Sequence, residues 1–100
     1  MNLYIVRRPS TWANTQELEA GIARAARLTN REMSGRVRWI RCYVVNERDG
    51  RIGMFDVYEA RNEAAIREHA RRAGLPGDEI YPVETTFIVR ADLDQFAAAA

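Results

Sequence analysis

Residues Arg36–Arg61, RVRWIRCYVVNERDGRIGMFDVYEAR, decide the fold. Two runs rich in β-branched and aromatic residues flank Asn46-Glu47-Arg48-Asp49-Gly50, and the Asp49-Gly50 pair supplies the positive φ of a tight turn. The stretch reads as a β-hairpin. Taking Glu47–Gly50 as its loop pairs Asn46 with Arg51, which sets Arg41 opposite Asp56 and Cys42 opposite Phe55. Strand alternation then puts Trp39, Arg41, Tyr43 and Val45 on one face with Met54, Asp56 and Tyr58. Ile40, Cys42 and Val44 share the other face with Gly53, Phe55, Val57 and Glu59. The aliphatic face wants helices, and the aromatic, charged face wants a partner.

The flanking chain supplies the helices. Asn2–Val6 is a short β-rich run, expected to be central, with Arg7 and Arg8 leaving the sheet and Pro9–Trp12 forming a loop. Asn14-Thr15-Gln16-Glu17 is a capping box, opening a helix to about Met33 whose inward stripe is Leu18, Ile22, Ala25 and Ala26. Beyond the hairpin, Asn62 caps a second helix with Ile66, His69, Ala70 and Ala73 facing in. Gly74 closes it and Pro76 follows. Glu79–Val89 reads as the last strand, and Pro82 argues for an edge position. The alanine-rich end is a short helix capped by Asp92 or a frayed tail.

The order β-α-β-β-α-β predicts an α+β protein: a ferredoxin-like, four-stranded antiparallel sheet with two helices on one face. One domain spans residues 1–90, and 91–100 form a tail. An uncovered face bearing Trp39, Tyr43, Met54 and Tyr58 exceeds what a monomer tolerates, so a homodimer packing sheet on sheet, a dimeric α+β barrel, is expected. The net charge of +1 provides no field for nucleic acid or an anionic membrane. A single cysteine excludes an internal disulfide and fits a reducing compartment. With no apolar run of membrane length and no leader pattern, the expectation is a cytoplasmic protein.

Chemistry has few places to sit. His69, the one histidine, is either a core imidazole bonded to a carbonyl or a pocket residue serving as metal ligand or general base. Cys42 points into the same layer, as a small buried hydrophobe or a soft ligand beside His69. Glu59, Asp78 and Glu79 are the carboxylates that would complete such a site, although Glu59 also suits a helix cap or an arginine partner. Arg41 and Asp56 form a cross-strand pair beside Tyr43 and Tyr58. It is an interface ion pair or, in an enzyme, the group that orients an anionic substrate.

Val37–Val44 (VRWIRCYV), Phe55–Ala60 (FDVYEA) and Arg67–Pro76 (REHARRAGLP) resemble a small ferredoxin-like domain family of undefined function that includes a nickel-binding, nickel-responsive protein. The resemblance implies homodimerisation and a site for a divalent transition metal such as nickel, or for a small ligand, between the second helix and the sheet. It points to His69 and, secondarily, Glu59. The expected function is therefore a small ligand-binding dimer. By analogy of architecture, the alternative is a cofactor-independent monooxygenase, isomerase or cyclase, or a haem-binding barrel, with His69, Arg41, Tyr43 and Asp56 in its site.

Overall fold

The computed structural model describes residues 1–77 and 79–92. The chain runs β1 (Asn2–Trp12), α1 (Thr15–Glu32), β2 (Val37–Asn46), β3 (Ile52–Ala60), α2 (Glu63–Ala73) and β4 (Glu79–Pro82). The strands form one antiparallel sheet in the order β2-β3-β1-β4. This is the expected ferredoxin-like arrangement. Among the described residues no helix is long and apolar enough to cross a membrane. Asp78 and the tail from Leu93 onward, with the expected terminal helix, lie outside the described residues.

Local signals place both helices. Asn14 Oδ1 accepts from the Glu17 backbone N–H at 2.9 Å, and Glu17 Oε1 accepts from the Ala13 N–H at 3.1 Å. These contacts satisfy donors that the first turn leaves free. Asn62 does the same for α2 through the Ala65 N–H at 2.9 Å. Gly74 then adopts φ 71° and its N–H returns to the last turn, the left-handed stop that glycine takes without strain. The α2 stripe is as expected: Ile66, His69, Ala70 and Ala73 are all buried. On α1, Leu18 and Ala25 are buried with Gly21 and Thr29, while Ile22 and Ala26 are half-buried.

The sheet corrects four expectations. First, β1 does not stop at Val6. It pairs with β3 through Arg8↔Met54 and, after an irregularity where Ser10 takes φ 50°, again at Trp12↔Ile52. Alternation through Tyr4, Val6 and Arg8 carries the arginine inward, and Trp12 is buried.

Second, the hairpin loop is one residue longer than expected. Asn46 pairs with Ile52, so Cys42 faces Asp56 and Arg41 faces Val57. A bulge at Ile40 then restores the expected pairing, with Trp39 beside Tyr58.

Third, the covered face is the reverse of the expected one. Met54, Asp56 and Tyr58 are fully buried under the helices, whereas Phe55 is exposed. Small residues on the inward helix faces (Ala25, Ala65, Ala70 and Ala73) leave depth for these bulky strand residues. The uncovered face instead carries Ile5, Tyr43, Phe55 and Tyr81, all exposed, with Val57 half-buried. Fourth, β4 spans only four residues. It is an edge strand, as Pro82 implied.

Candidate functional site

The β1 alternation delivers Arg8 to the middle of the domain, where its side chain has no exposed surface. Arg8 sits opposite Met54, so Asp56, two residues along β3, lies diagonally within reach. Arg8 Nη1 donates to Asp56 Oδ2 in a buried ion pair. The same nitrogen donates to Tyr58 Oη at 3.0 Å, and Nε donates to the Pro76 carbonyl at 2.7 Å. One guanidinium thus ties β1 to β3 and to the chain after α2. Trp39 stacks on Tyr58 with centroids 5.9 Å apart and 16° between planes.

His69 closes this layer from α2. Its ring meets Tyr58 edge-on at 5.6 Å and 63°. Nε2 lies 2.7 Å from Thr29 Oγ1 and 3.3 Å from the Ala25 carbonyl, while Thr29 Oγ1 donates to that carbonyl at 2.8 Å. The carbonyl only accepts, so the network assigns the imidazole hydrogen to Nε2, which donates toward Thr29 and Ala25. Nδ1 then keeps a bare lone pair. Burial holds the ring's pKa below its ordinary value, against the Ala25 hydrogen bond and with help from the Arg8 charge. His69 is a neutral imidazole.

Buried polar groups are usually paired, yet this layer is underpaired. Arg8 Nη2, Asp56 Oδ1, Trp39 Nε1 and His69 Nδ1 are buried without a hydrogen-bond partner. Burial pushes the Asp56 carboxyl up, while the Arg8 charge pulls it back down. The nearby Trp39 N–H also lowers it, without reaching hydrogen-bond geometry. Burial likewise raises the Tyr58 phenol, and it raises the Cys42 thiol, with the Asp56 charge adding to that shift. Both therefore stay protonated.

The residues anticipated as a site are split by the sheet. Asp56, Cys42 and His69 lie on the helix side. Arg41 and Tyr43 lie on the uncovered side, where both hydrogen-bond Asp92 instead of Asp56. Glu59 is on that side too, accepting from Arg38 Nη1 at 3.1 Å. Glu79 faces the same way, paired in register with Arg7, and Asp78 lies outside the described residues. Three members of the buried layer were missed: Arg8, Thr29 and Tyr58 as a hydrogen-bond partner. Only the continuing alternation Tyr4, Val6, Arg8 carried a signal for any of them.

A family model described as nickel responsive protein SCO4226-like matches residues 4–83. The chain belongs to that family. The crystal structure of SCO4226 from Streptomyces coelicolor A3(2) is similar, with a TM-score of 0.67 at 15% sequence identity. The likeness covers 85% of this chain and 99% of that one, and at such identity it speaks for the fold alone. No curated protein matches the chain.

A nickel ion wants several nitrogen, oxygen or thiolate donors converging on one point. Among the described residues no three His, Cys, Asp or Glu side chains are placed to share an ion. His69 has only Nδ1 to offer, since Nε2 is committed to α1, and Glu59 is on the far side of the sheet. Asp56 is matched by a guanidinium, which repels a cation. The described residues do not fit a nickel centre within one chain.

Proposed function

We propose that this member of the nickel-responsive family is a small homodimeric binding protein. It takes a flat, oxygen-bearing organic molecule into the polar layer between α2 and the sheet. The observation that carries this reading is the unspent hydrogen bonding around a fully buried ion pair. Taking Arg8 and Asp56 out of water costs several kcal/mol per ion, order of magnitude, and such a pair adds little stability in return. A domain of this size gains little from that arrangement unless the spare valences are used. Arg8 Nη2 and Trp39 Nε1 are donors, Asp56 Oδ1 and His69 Nδ1 are acceptors, and Trp39 and Tyr58 supply aromatic walls. That set suits a planar hydroxy- or oxo-compound better than a bare cation.

Access requires α2 to lift, because the layer is closed in this state. The inward face of α2 favours such motion, since Ala65, Ala70 and Ala73 anchor it with little apolar area beside Ile66. Homodimerisation is supported by the uncovered stripe of Ile5, Tyr43, Phe55 and Tyr81.

The test is a thermal-shift and amide-NMR panel of small phenols and hydroxy- and oxo-carboxylic acids, run beside nickel chloride. At least one organic compound should stabilise the wild type and move the Arg8 and His69 signals, and an Arg8→Met/Asp56→Leu variant should not respond. A response to nickel alone, abolished in His69→Ala, overturns the reading. So does silence across the whole panel.

A further inference from the structure

Among the described residues, Arg8 and Asp56 are the only buried side chains that carry charge. Burial keeps His69 neutral and leaves Tyr58 and Cys42 protonated, so the layer as a whole is electrically balanced. An added carboxylate would meet Arg8, but Asp56 stands beside it and would repel the same charge at short range. An added ammonium would be repelled by Arg8 in turn. Balance of this kind admits an uncharged guest and penalises either ion.

The unpaired atoms restrict the guest further. Arg8 Nη1 and Asp56 Oδ2 hold each other, which leaves Arg8 Nη2 and Asp56 Oδ1 buried without partners. Each lies two covalent bonds from that contact, so a donor and an acceptor flank the same spot. A hydroxyl fits there, because one oxygen accepts from Nη2 and donates to Oδ1. An ether or ketone oxygen would leave Oδ1 unmet, and a carboxylate would oppose it. His69 Nδ1 is a bare acceptor and asks for a second hydroxyl. Arg8 Cζ lies 5.6 Å from the centre of the Tyr58 ring, and the centre of the His69 ring lies 5.6 Å from it too. Both groups therefore border one phenol ring, and a single benzene ring with two hydroxyls spans the distance between them. Trp39, stacked on Tyr58, adds an aromatic wall for such a ring.

We propose that the layer selects an uncharged aromatic diol, with one hydroxyl bridging Arg8 and Asp56 and the other donating to His69. The proposal rests on the organic-ligand reading above and narrows it, excluding the carboxylic acids which that reading admits. His69 serves as an acceptor and not as a base, because a proton on Nδ1 would place a second buried cation near Arg8.

Titration at about pH 7, where a phenolic hydroxyl is uncharged, decides it. The probes are resorcinol and hydroquinone, their monomethyl ethers, and meta- and para-hydroxybenzoate, followed through the Trp39 indole N–H and the His69 signals by NMR. At least one diol should bind the wild type about 10-fold or more tightly than its hydroxybenzoate or its monomethyl ether. Asp56→Asn keeps the shape of the side chain and removes its charge, so the order should reverse in favour of the hydroxybenzoate. Hydroxybenzoates or ethers that bind the wild type as tightly as the diols overturn the proposal and leave the organic-ligand reading standing. Selectivity that persists unchanged in a folded Asp56→Asn does the same, and if that variant does not fold the wild-type ratios decide alone. Diols that fail to bind also overturn it, and silence from the acids as well takes the organic-ligand reading with it.

Discussion

Replacing Asp56 by Leu while leaving Arg8 in place should destabilise the domain by about 3 kcal/mol, the low end of the penalty for breaking a buried ion pair. The low end applies because the stranded guanidinium keeps two partners, the Pro76 carbonyl at 2.7 Å and the Tyr58 hydroxyl at 3.0 Å. In a domain of this length that corresponds to a fall in Tm of about 12–24 °C. Arg8→Met should cost a similar amount, since it leaves a buried carboxylate and also frees the Pro76 and Tyr58 oxygens. The double variant is the informative one. With both charges gone the desolvation cost disappears, so it should be more stable than either single variant, with a coupling of about 2 kcal/mol or more. Urea unfolding followed by the fluorescence of the buried Trp12 and half-buried Trp39 gives all four corners of the cycle. An Asp56→Leu cost below about 1 kcal/mol, or a coupling within about 0.5 kcal/mol of zero, would mean that the pair is not a buried charge pair. The polar-layer reading would then fail.

Two further expectations concern the same elements. His69 is held neutral when folded, so the unfolded chain takes up a proton near pH 6.5 that the folded chain refuses. Its contribution is therefore complete above about pH 6.5 and is lost below it, by up to about 1.4 kcal/mol per pH unit. Asp56, raised by burial, acts with the opposite sign: its contribution is complete below the ordinary aspartate value and fades as pH rises through the folded one. Comparing Tm from about pH 7 to 5 in the wild type and His69→Gln isolates the histidine, and an unchanged slope in the variant would refute its assignment. Gly21→Ala would ordinarily strengthen a helix interior by about 1 kcal/mol. Here the added Cβ falls onto the Trp12 ring, so overpacking should reverse the sign by about 1–3 kcal/mol, and a variant as stable as wild type would refute that packing.

Much of the fold was legible because its signals are local. Asn14, Asn62 and Gly74 act within one helical turn of themselves, and they mark the helix ends wherever the helices happen to dock. The order of elements and the edge position forced by Pro82 were readable for the same reason. The sheet was harder. One extra residue in the hairpin loop moved Asp56 from Arg41 to Cys42, a slip that the bulge at Ile40 undoes only further along, and alternation magnifies such a slip into a change of partners. Alternation also separates two faces without naming which one the helices cover.

By itself, then, the sequence determined the β-α-β-β-α-β order, both helix caps and the inward placement of His69. Only the tertiary structure decided that Arg8 is internal, that Asp56 belongs to it, and that Glu59 and Arg41 are cut off from His69 by the sheet. The physical reason is range. Caps and turns depend on neighbours a few residues apart, whereas a buried ion pair 48 residues apart in sequence exists only once strand register has been set.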